Sequence, residues 1–496
     1  MTSESAAPRP GLARNALHLG LGQVVTTVLT MLFSATIART LGAAEFGLLY
    51  LLTSIANFAY VFVDWGHGPY VTREIARRPE RSGELMGSVL VVRALTAVAM
   101  CGLAVAVTWL LGYDLRTRLL AGLLIVAWLP QYMGLTYSWA FRGRERMEYD
   151  ALIQVVLKFG TLVLAVACLA LGGRLVALIP MFGVAGAITF AAAAVLYHRL
   201  GFPALRFSRA TARELIRDGA PMLAISLAVA VQPYIDANLL YKLAPTEVVG
   251  WYGAAWVIAG TLVAPAMILG ATMYPRLSRV SADPAEFSRT LRLSFRPLLL
   301  VAVLGGVGMY LFADFAVGVI YSRQKFGPSA AILRAFTPAL LLIYIDMLFG
   351  HAILAVGKAG QLAKAKMVAV VVTTGVELVL IPFCQARFGN GGIGIVLAMA
   401  CGELVMVTAA VLLIRDIVSV AMGLDFLRGL VAGAATIAVM RLLPPINPLL
   451  GIPLCVVTFA AVAVVVGLVR RSDLELLPPF FRKRGSPSAG SADRQN

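Results

Sequence analysis

The sequence predicts an all-α polytopic membrane protein of about 14 transmembrane helices, built as two six-helix lobes related by a pseudo-two-fold repeat plus two C-terminal helices. Three observations predict it. First, 60% of the 496 residues are hydrophobic, only 14% are charged, and the mean hydropathy is +0.85. Soluble domains sit nearer ~45–50% apolar and ~25% charged, so this chain folded in water would expose a large apolar surface. Disorder is excluded by the same numbers. Second, the apolar residues gather into runs of spanning length. Third, the chain resembles itself at an offset of 203 residues.

In order, the runs fall at about 15–38, 47–69, 86–111, 119–140, 151–172, 175–197 and 219–241, then 248–274, 297–320, 331–356, 364–383, 391–414, 427–443 and 452–469. They read as helices because an open strand cannot satisfy its backbone in lipid. The ten-residue alternation of an outer-membrane barrel is absent. The thirteenth run is the weakest, short and flanked by Arg428 and Arg441.

The expected division follows the runs. Residues 1–14 are a polar cytoplasmic segment, 15–198 the first lobe, 199–218 a cytoplasmic linker, 219–415 the second lobe, 416–470 the last two spans, and 471–496 a tail of disordered composition. The linker sets Leu205, Leu215 and Ile216 among arginines and reads as a surface-lying amphipathic helix. No cleavable signal peptide is evident, since residues 1–14 are polar and the first run is long enough to span.

The net charge of +17 raises nucleic acid, an anionic membrane surface or an anionic substrate as partners. Its distribution decides. Alternate loops carry 30 Lys and Arg, and the intervening loops carry 10. That alternation puts both termini in the cytoplasm and makes most of the excess a topology signal, not a nucleic-acid signal. Cys101, Cys168, Cys384, Cys401 and Cys455 all lie in apolar runs with no CxxC or Cys/His cluster, so they read as small buried apolar residues.

The repeat aligns Arg14 with Arg217, Asn15 with Asp218, Arg39 with Lys242, Gly47 with Gly250 and Arg93 with Arg296. After a three-residue shift, Pro69 and Arg73 meet Pro275 and Arg279. The partners begin six spans apart, on one side of the membrane, which makes the repeat parallel. Two such halves imply a transporter with a central cleft.

Enzyme signatures are missing. There is no GxxxxGK[ST], Asp-x-Asp or HExxH, and His18, His67, His198 and His351 are scattered. No outer loop is long enough to hold the acceptor of a glycan polymerase or ligase.

Charges within the spans are costly and are the functional candidates. Arg39, Lys242 and Arg334 lie near outer span ends, where snorkelling is the plain alternative. Arg93 sits within two turns of an inner end and reads first as a snorkel, and Lys158 lies in the inner third of its span. Asp64 and Asp236 are further candidates. Asp346, Glu377 and Glu403 are deeper, so they read either as interhelical polar pairs or as sites that bind H⁺ or Na⁺. Pro130, Pro221, Pro233, Pro265 and Pro338 add helix breaks that free backbone carbonyls beside a cavity.

These residues resemble a known family. Ala38-Arg39-Thr40-Leu41-Gly42 with Glu45-Phe46-Gly47, and Asp64-Trp65-Gly66 with Arg73, resemble the signatures of polysaccharide (Wzx-type) flippases. So do Phe141-Arg142-Gly143-Arg144-Glu145-Arg146-Met147, the stretch from Gly219-Ala220-Pro221 to Asp236, Gly250-Trp251-Tyr252 and Pro275-Arg276-Leu277-Ser278-Arg279. Gly357-Lys358 and Gly391-Gly392-Ile393-Gly394 through Glu403 complete a similarity covering about residues 14–415. The family belongs to the multidrug/oligosaccharidyl-lipid/polysaccharide exporter superfamily.

The resemblance implies a two-lobed bundle in the bacterial cytoplasmic membrane that alternates access. It implies a glycan on polyprenyl pyrophosphate as substrate, membrane lipids around it, and a polysaccharide polymerase or glycosyltransferases as neighbours. No cofactor is expected beyond a coupling H⁺ or Na⁺. Arg39, Lys242, Arg93 and Lys158 are then the candidates for head-group binding or gating, because cations suit a phosphate. Asp64, Asp236, Asp346, Glu377 and Glu403 are the candidates for ion coupling. The alternatives are a drug/cation antiporter or lipid II flippase of the same superfamily, or a glycan polymerase or ligase.

Overall fold

In the computed structural model, which describes residues 12–444 and 447–469, the chain is a bundle of helices. The segment 1–14 lies largely outside the described residues, and the tail 471–496 entirely so. The helices are α1 (Leu12–Asp64), α2 (His67–Arg77), α3 (Ser82–Leu110), α4 (Leu115–Gly143), α5 (Met147–Ala170), α6 (Leu175–Arg199), α7 (Arg209–Leu243) and α8 (Thr246–Arg279). They continue as α9 (Pro284–Leu311), α10 (Ala313–Ile320), α11 (Arg323–Phe326), α12 (Ser329–Ala355), α13 (Ala359–Phe388), α14 (Gly391–Leu413), α15 (Val420–Leu442) and α16 (Pro448–Val465).

Twelve stretches of the described chain are long and apolar enough to cross a membrane. The first of them, Gly20–Arg77, holds two spans, because Gly42 breaks α1 with φ 83° and ψ 178°, a conformation glycine tolerates best. The 35-residue α7 is a further long helix, so each of the fourteen runs finds its helix.

Several boundaries move. The linker is not a surface helix: residues 200–208 are irregular, and 209–218 are the first turns of α7. The irregular stretch follows a path made by glycines. Arg206 N donates to Gly83 O at 3.0 Å, and Cβ atoms at Gly83 or Gly87 would run into the linker backbone. Ser208 then starts α7, its side chain accepting from Thr211 N. The ninth run begins far earlier than its apolar part, at Pro284, with Asp283 capping, and it breaks at Phe312 into α9 and α10. The five prolines all sit inside helices, two of them in α7. Of the cysteines, all free, only Cys384 and Cys455 are buried, and Cys401 faces outward.

The neighbour pattern repeats. In the first half α4 packs on α6 and α3, and α5 packs on α6 and α1. In the second, α12 packs on α14 and α9, and α13 packs on α14 and α7. The bundle has an arginine-rich end (loops near 78, 144, 206 and 281) and an arginine-poor end (loops near 42, 113, 245 and 322).

The last two helices attach through charge. Asp425 on α15 is 0% exposed, and it accepts from Arg296 Nε at 2.8 Å and Arg428 Nη1 at 3.2 Å, with Arg292 Nε at 3.7 Å. This explains the weak thirteenth run. Asp425, just ahead of the run, and Arg428, at its start, shorten the apolar stretch yet pair with one another, and Asp425 binds α15 to α9 through Arg296. Burying such ions is tolerated only as a group. Asp425→Ala is therefore expected to cost about 3–5 kcal/mol and to lower the melting temperature in detergent. Asp425→Leu with Arg296→Met is expected to recover most of it, and an unchanged melt for the single variant would remove the cluster's structural role.

Candidate functional site

At the arginine-poor end the two halves meet on a pseudo-two-fold axis. A Cβ on Gly47 would strike Thr246 O and Gly250 N, and a Cβ on Gly250 would strike Ala43 O. Residues 43 and 246, and 47 and 250, are offset by the same 203 positions as the sequence repeat, so the contact is isologous. Backbones approach this closely only where side chains are missing. Tyr50 then packs on Gly253 and meets Tyr252 edge-on at 5.7 Å.

The repeat partners Arg39 and Lys242 flank this crossing, each reaching into the other half. Arg39 Nε donates to the carbonyls of Ile320 (3.1 Å) and Tyr321 (3.2 Å), and its Nη2 donates to Val319 O. It thereby caps the C-terminal carbonyls of α10. Lys242 Nζ lies 4.1 Å from the centre of the Tyr113 ring, and Tyr113 OH donates to Asn238 at 2.5 Å. Ser34 bonds Tyr321 OH at 2.9 Å in the matching arrangement. Lys325 Nζ adds a bond to Arg39 O at 3.0 Å. Arg334 is paired with Asp314 in the same region.

Deeper in the first half, Arg93 corrects the snorkel reading. It is 1% exposed, with Nη1 2.6 Å from Asp64 Oδ1 and its guanidinium 4.7 Å from the Trp139 ring. Asp64 is half exposed and ends α1. The next two residues turn the chain, Trp65 at φ 46° and Gly66 at φ 70°. The pair neutralises Arg93, so neither Arg93 nor Asp64 is a free charge.

Tyr132 lies 5.8 Å from Arg93 and opens onto a cavity of about 350 Å³ inside the first half. Four helices line it: Leu29, Thr30, Phe33, Leu49, Thr53 and Asn57 of α1; Trp128, Gln131, Tyr132 and Leu135 of α4; Gln154, Leu157, Lys158 and Thr161 of α5; and Phe182 of α6. Gly186 of α6 holds α4 in place, since a Cβ there would sit 2.6 Å from Gln131 N. Lys158 is the single charged side chain in the lining among the described residues. Asn57, Gln131 and Lys158 make no hydrogen bond or ion pair among them. Composition alone did not single out Asn57, Gln131 or Gln154, but the signal exists: polar residues recur at i, i+3, i+4 and i+7 within apolar spans.

The second half holds the carboxylates. Gln232 Nε2 donates to Asp236 Oδ1 at 2.6 Å and to Glu377 Oε1 at 3.2 Å, joining α7 to α13. Asp236 is 3% and Glu377 0% exposed, and Glu377 Oε2 is buried with no hydrogen-bond partner among the described residues. Asp346 and Glu403 form a separate electrostatic group with Lys366, each with one buried oxygen lacking a partner among the described residues. No group of three or more His, Cys, Asp or Glu fit to hold a metal occurs among the described residues.

At the arginine-rich end α7 belongs to the first half. Trp65 Nε1 donates to Ile216 O at 2.9 Å, Arg81 Nη2 to Glu214 Oε2 at 3.0 Å, and Tyr70 OH to Glu214. The Arg81 guanidinium holds the Glu214 carboxyl below the usual carboxylate range. That tie is complete above the ordinary range and is lost as pH falls through the lowered value.

Comparisons with known proteins match this architecture. The family described as "Polysaccharide biosynthesis protein" matches residues 12–281. A probable low-salt glycan biosynthesis flippase, Agl15 of Haloferax volcanii, is 20% identical over 397 residues, covering 78% of this chain and 81% of that protein. The structure of lipid II flippase MurJ in an inward closed conformation superposes with a TM-score of 0.73 at 13% identity, covering 93% of this chain and all of the other. An inward-facing multidrug resistance MATE transporter of the MOP superfamily gives 0.61 at 14% identity, covering 85% and 98%. At these identities the two structures report a shared fold.

The glycine crossing is testable. Gly250→Leu is expected to push the halves apart, raising thiol labelling of a Tyr50→Cys reporter severalfold in a background free of native cysteine. Unchanged labelling would mean that the crossing does not seal this end.

Proposed function

The chain belongs to the polysaccharide biosynthesis protein family, and on that premise we propose that it is a transporter, a flippase for lipid-linked glycans. The substrate is an oligosaccharide on a polyprenyl pyrophosphate, moved from the inner to the outer leaflet of the bacterial cytoplasmic membrane. Both termini are cytoplasmic, so the arginine-rich end faces the cytoplasm. Glycosyltransferases supply the substrate and a polysaccharide polymerase consumes it.

One observation carries the reading: a largely apolar cavity that holds several amides and hydroxyls and whose only charge among the described residues is an unpaired lysine, inside a bundle whose halves meet on a two-fold seam. A sugar phosphate crossing lipid must replace its water by polar groups, while the lipid tail stays in the bilayer. The two halves rock about the Gly47–Gly250 crossing, and the cavity faces one leaflet and then the other. Arg39 and Lys242 brace the arginine-poor end when it is closed.

Ion coupling falls to Asp236 and Glu377. Two buried carboxylates joined through one amide favour a proton or a Na⁺ between them. The helix of Asp236, α7, also touches the first half through Tyr234, stacked on Phe58 at 4.5 Å, so occupancy of the pair is felt at the seam. Asp346 and Glu403 are a second candidate pair for the same role. The drug/cation antiporter reading is disfavoured by the cavity, which among its described lining residues has no carboxylate to receive a cation.

The test is transfer of a fluorescent lipid-linked oligosaccharide across proteoliposomes bearing a proton or sodium gradient. Wild type is expected to transfer, and Glu377→Gln is expected to lose about tenfold of the gradient-driven acceleration, a typical coupling between sites. Export of cationic dyes without glycan transfer would establish the antiporter instead, and chain lengthening of the glycan would establish a polymerase.

A further inference from the structure

We propose that the first-half cavity is a glycosyl phosphate site that receives the first sugar and one phosphate at the reducing end of the glycan. The inference deepens the flippase reading and rests on it for the source of the ligand.

The lining has the three kinds of group that a phosphorylated pyranose needs. Trp128 and Tyr132 place aromatic rings in the lining, the side-chain type that packs on the apolar C–H face of a sugar. Tyr132 is itself fixed, stacked on Tyr60 with centroids 3.9 Å apart. Asn57, Gln131 and Gln154 offer amides, each able to donate to and accept from neighbouring hydroxyls. Gln154 is anchored by a bond to Asp150 at 3.2 Å, whereas Asn57 and Gln131 have no partner among the described residues. Unpaired amides inside a membrane span are costly unless a ligand or water meets them.

Lys158 sets the charge. The other deep cation nearby, Arg93, already faces Asp64, so the cavity carries a single uncompensated positive charge among its described lining residues. That matches one phosphate. A second phosphate in the cavity would find no cation, so in a diphosphate carrier it stays outside the cavity with the lipid. Size agrees: 350 Å³ is near the low end of small-molecule sites, ~300–1,000 Å³, so the remaining glycan stays outside as well. The site therefore reads the linkage sugar and not the length of the chain.

The experiment titrates the purified full-length protein in detergent with four hexose 1-phosphates (gluco, galacto, manno and N-acetylgluco). The matching free sugars and inorganic phosphate are titrated alongside, by calorimetry and by tryptophan fluorescence. At least one hexose 1-phosphate is expected to bind about tenfold or more tightly than either its sugar or phosphate alone, the scale of a charge-assisted hydrogen bond. Lys158→Gln is expected to remove that advantage, Lys158→Arg to keep it, and Gln131→Leu to weaken sugar and sugar phosphate alike. If a variant fails to fold, the wild-type series decides alone. Phosphate binding as well as every sugar phosphate would overturn the proposal in favour of a plain anion site. Transfer of lipid-linked glycan with no hexose 1-phosphate binding would overturn the site and leave the flippase standing. Binding without transfer of any lipid-linked glycan would overturn the flippase and keep the site.

Discussion

The close crossing of Gly47 and Gly250 is the contact on which the arrangement of the halves depends. Two helices of an internal repeat can meet on their own axis only if the same position is small in both, since each backbone occupies the space where the other's side chain would stand. Once that crossing is fixed, its neighbours follow in pairs. Arg39 and Lys242 each reach over the axis, and Tyr321 and Tyr113 each make a hydrogen bond across it. Around it the seam is filled by aromatic and apolar side chains: Phe46 meets Tyr321 and Phe326, and Tyr50 meets Tyr252.

Charge inside the membrane obeys a second rule, and the exceptions to it are the groups proposed to act in transport. Arg93 faces Asp64, Arg296 faces Asp425, and the repeat thus buries an arginine at equivalent positions with anions drawn from different helices. These pairs hold α3 to α1 and α15 to α9. The groups left over are Lys158 in the first half and carboxylates in the second. The proposed anion site and the proposed cation or proton site thereby fall in separate halves. The helix α7 links them: its first turns are tied to Trp65 and Arg81, and its last turns carry Asp236 beside Glu377. Pro221 and Pro233 interrupt it between those attachments.

The sequence by itself determined the helical class, the fourteen spans and the register of the repeat. These follow from properties summed along the chain: hydropathy over about 20 residues, basic residues per loop, and a fixed offset. It also picked out most of the intramembrane charges, because a charge in an apolar run is visible without any neighbour. What it could not assign was the partner of each. Arg93 read as a snorkel because Asp64 is 29 positions away, and Asp425 went unnoticed because the arginine that makes it affordable is on another helix. Only the tertiary structure decided which charges cancel and which remain. It also gathered Asn57, Gln131 and Gln154, ordinary polar residues of three separate spans, around Lys158. The physical reason is that the cost of a buried polar group depends on what surrounds it, and in a bundle those surroundings come from helices distant in sequence.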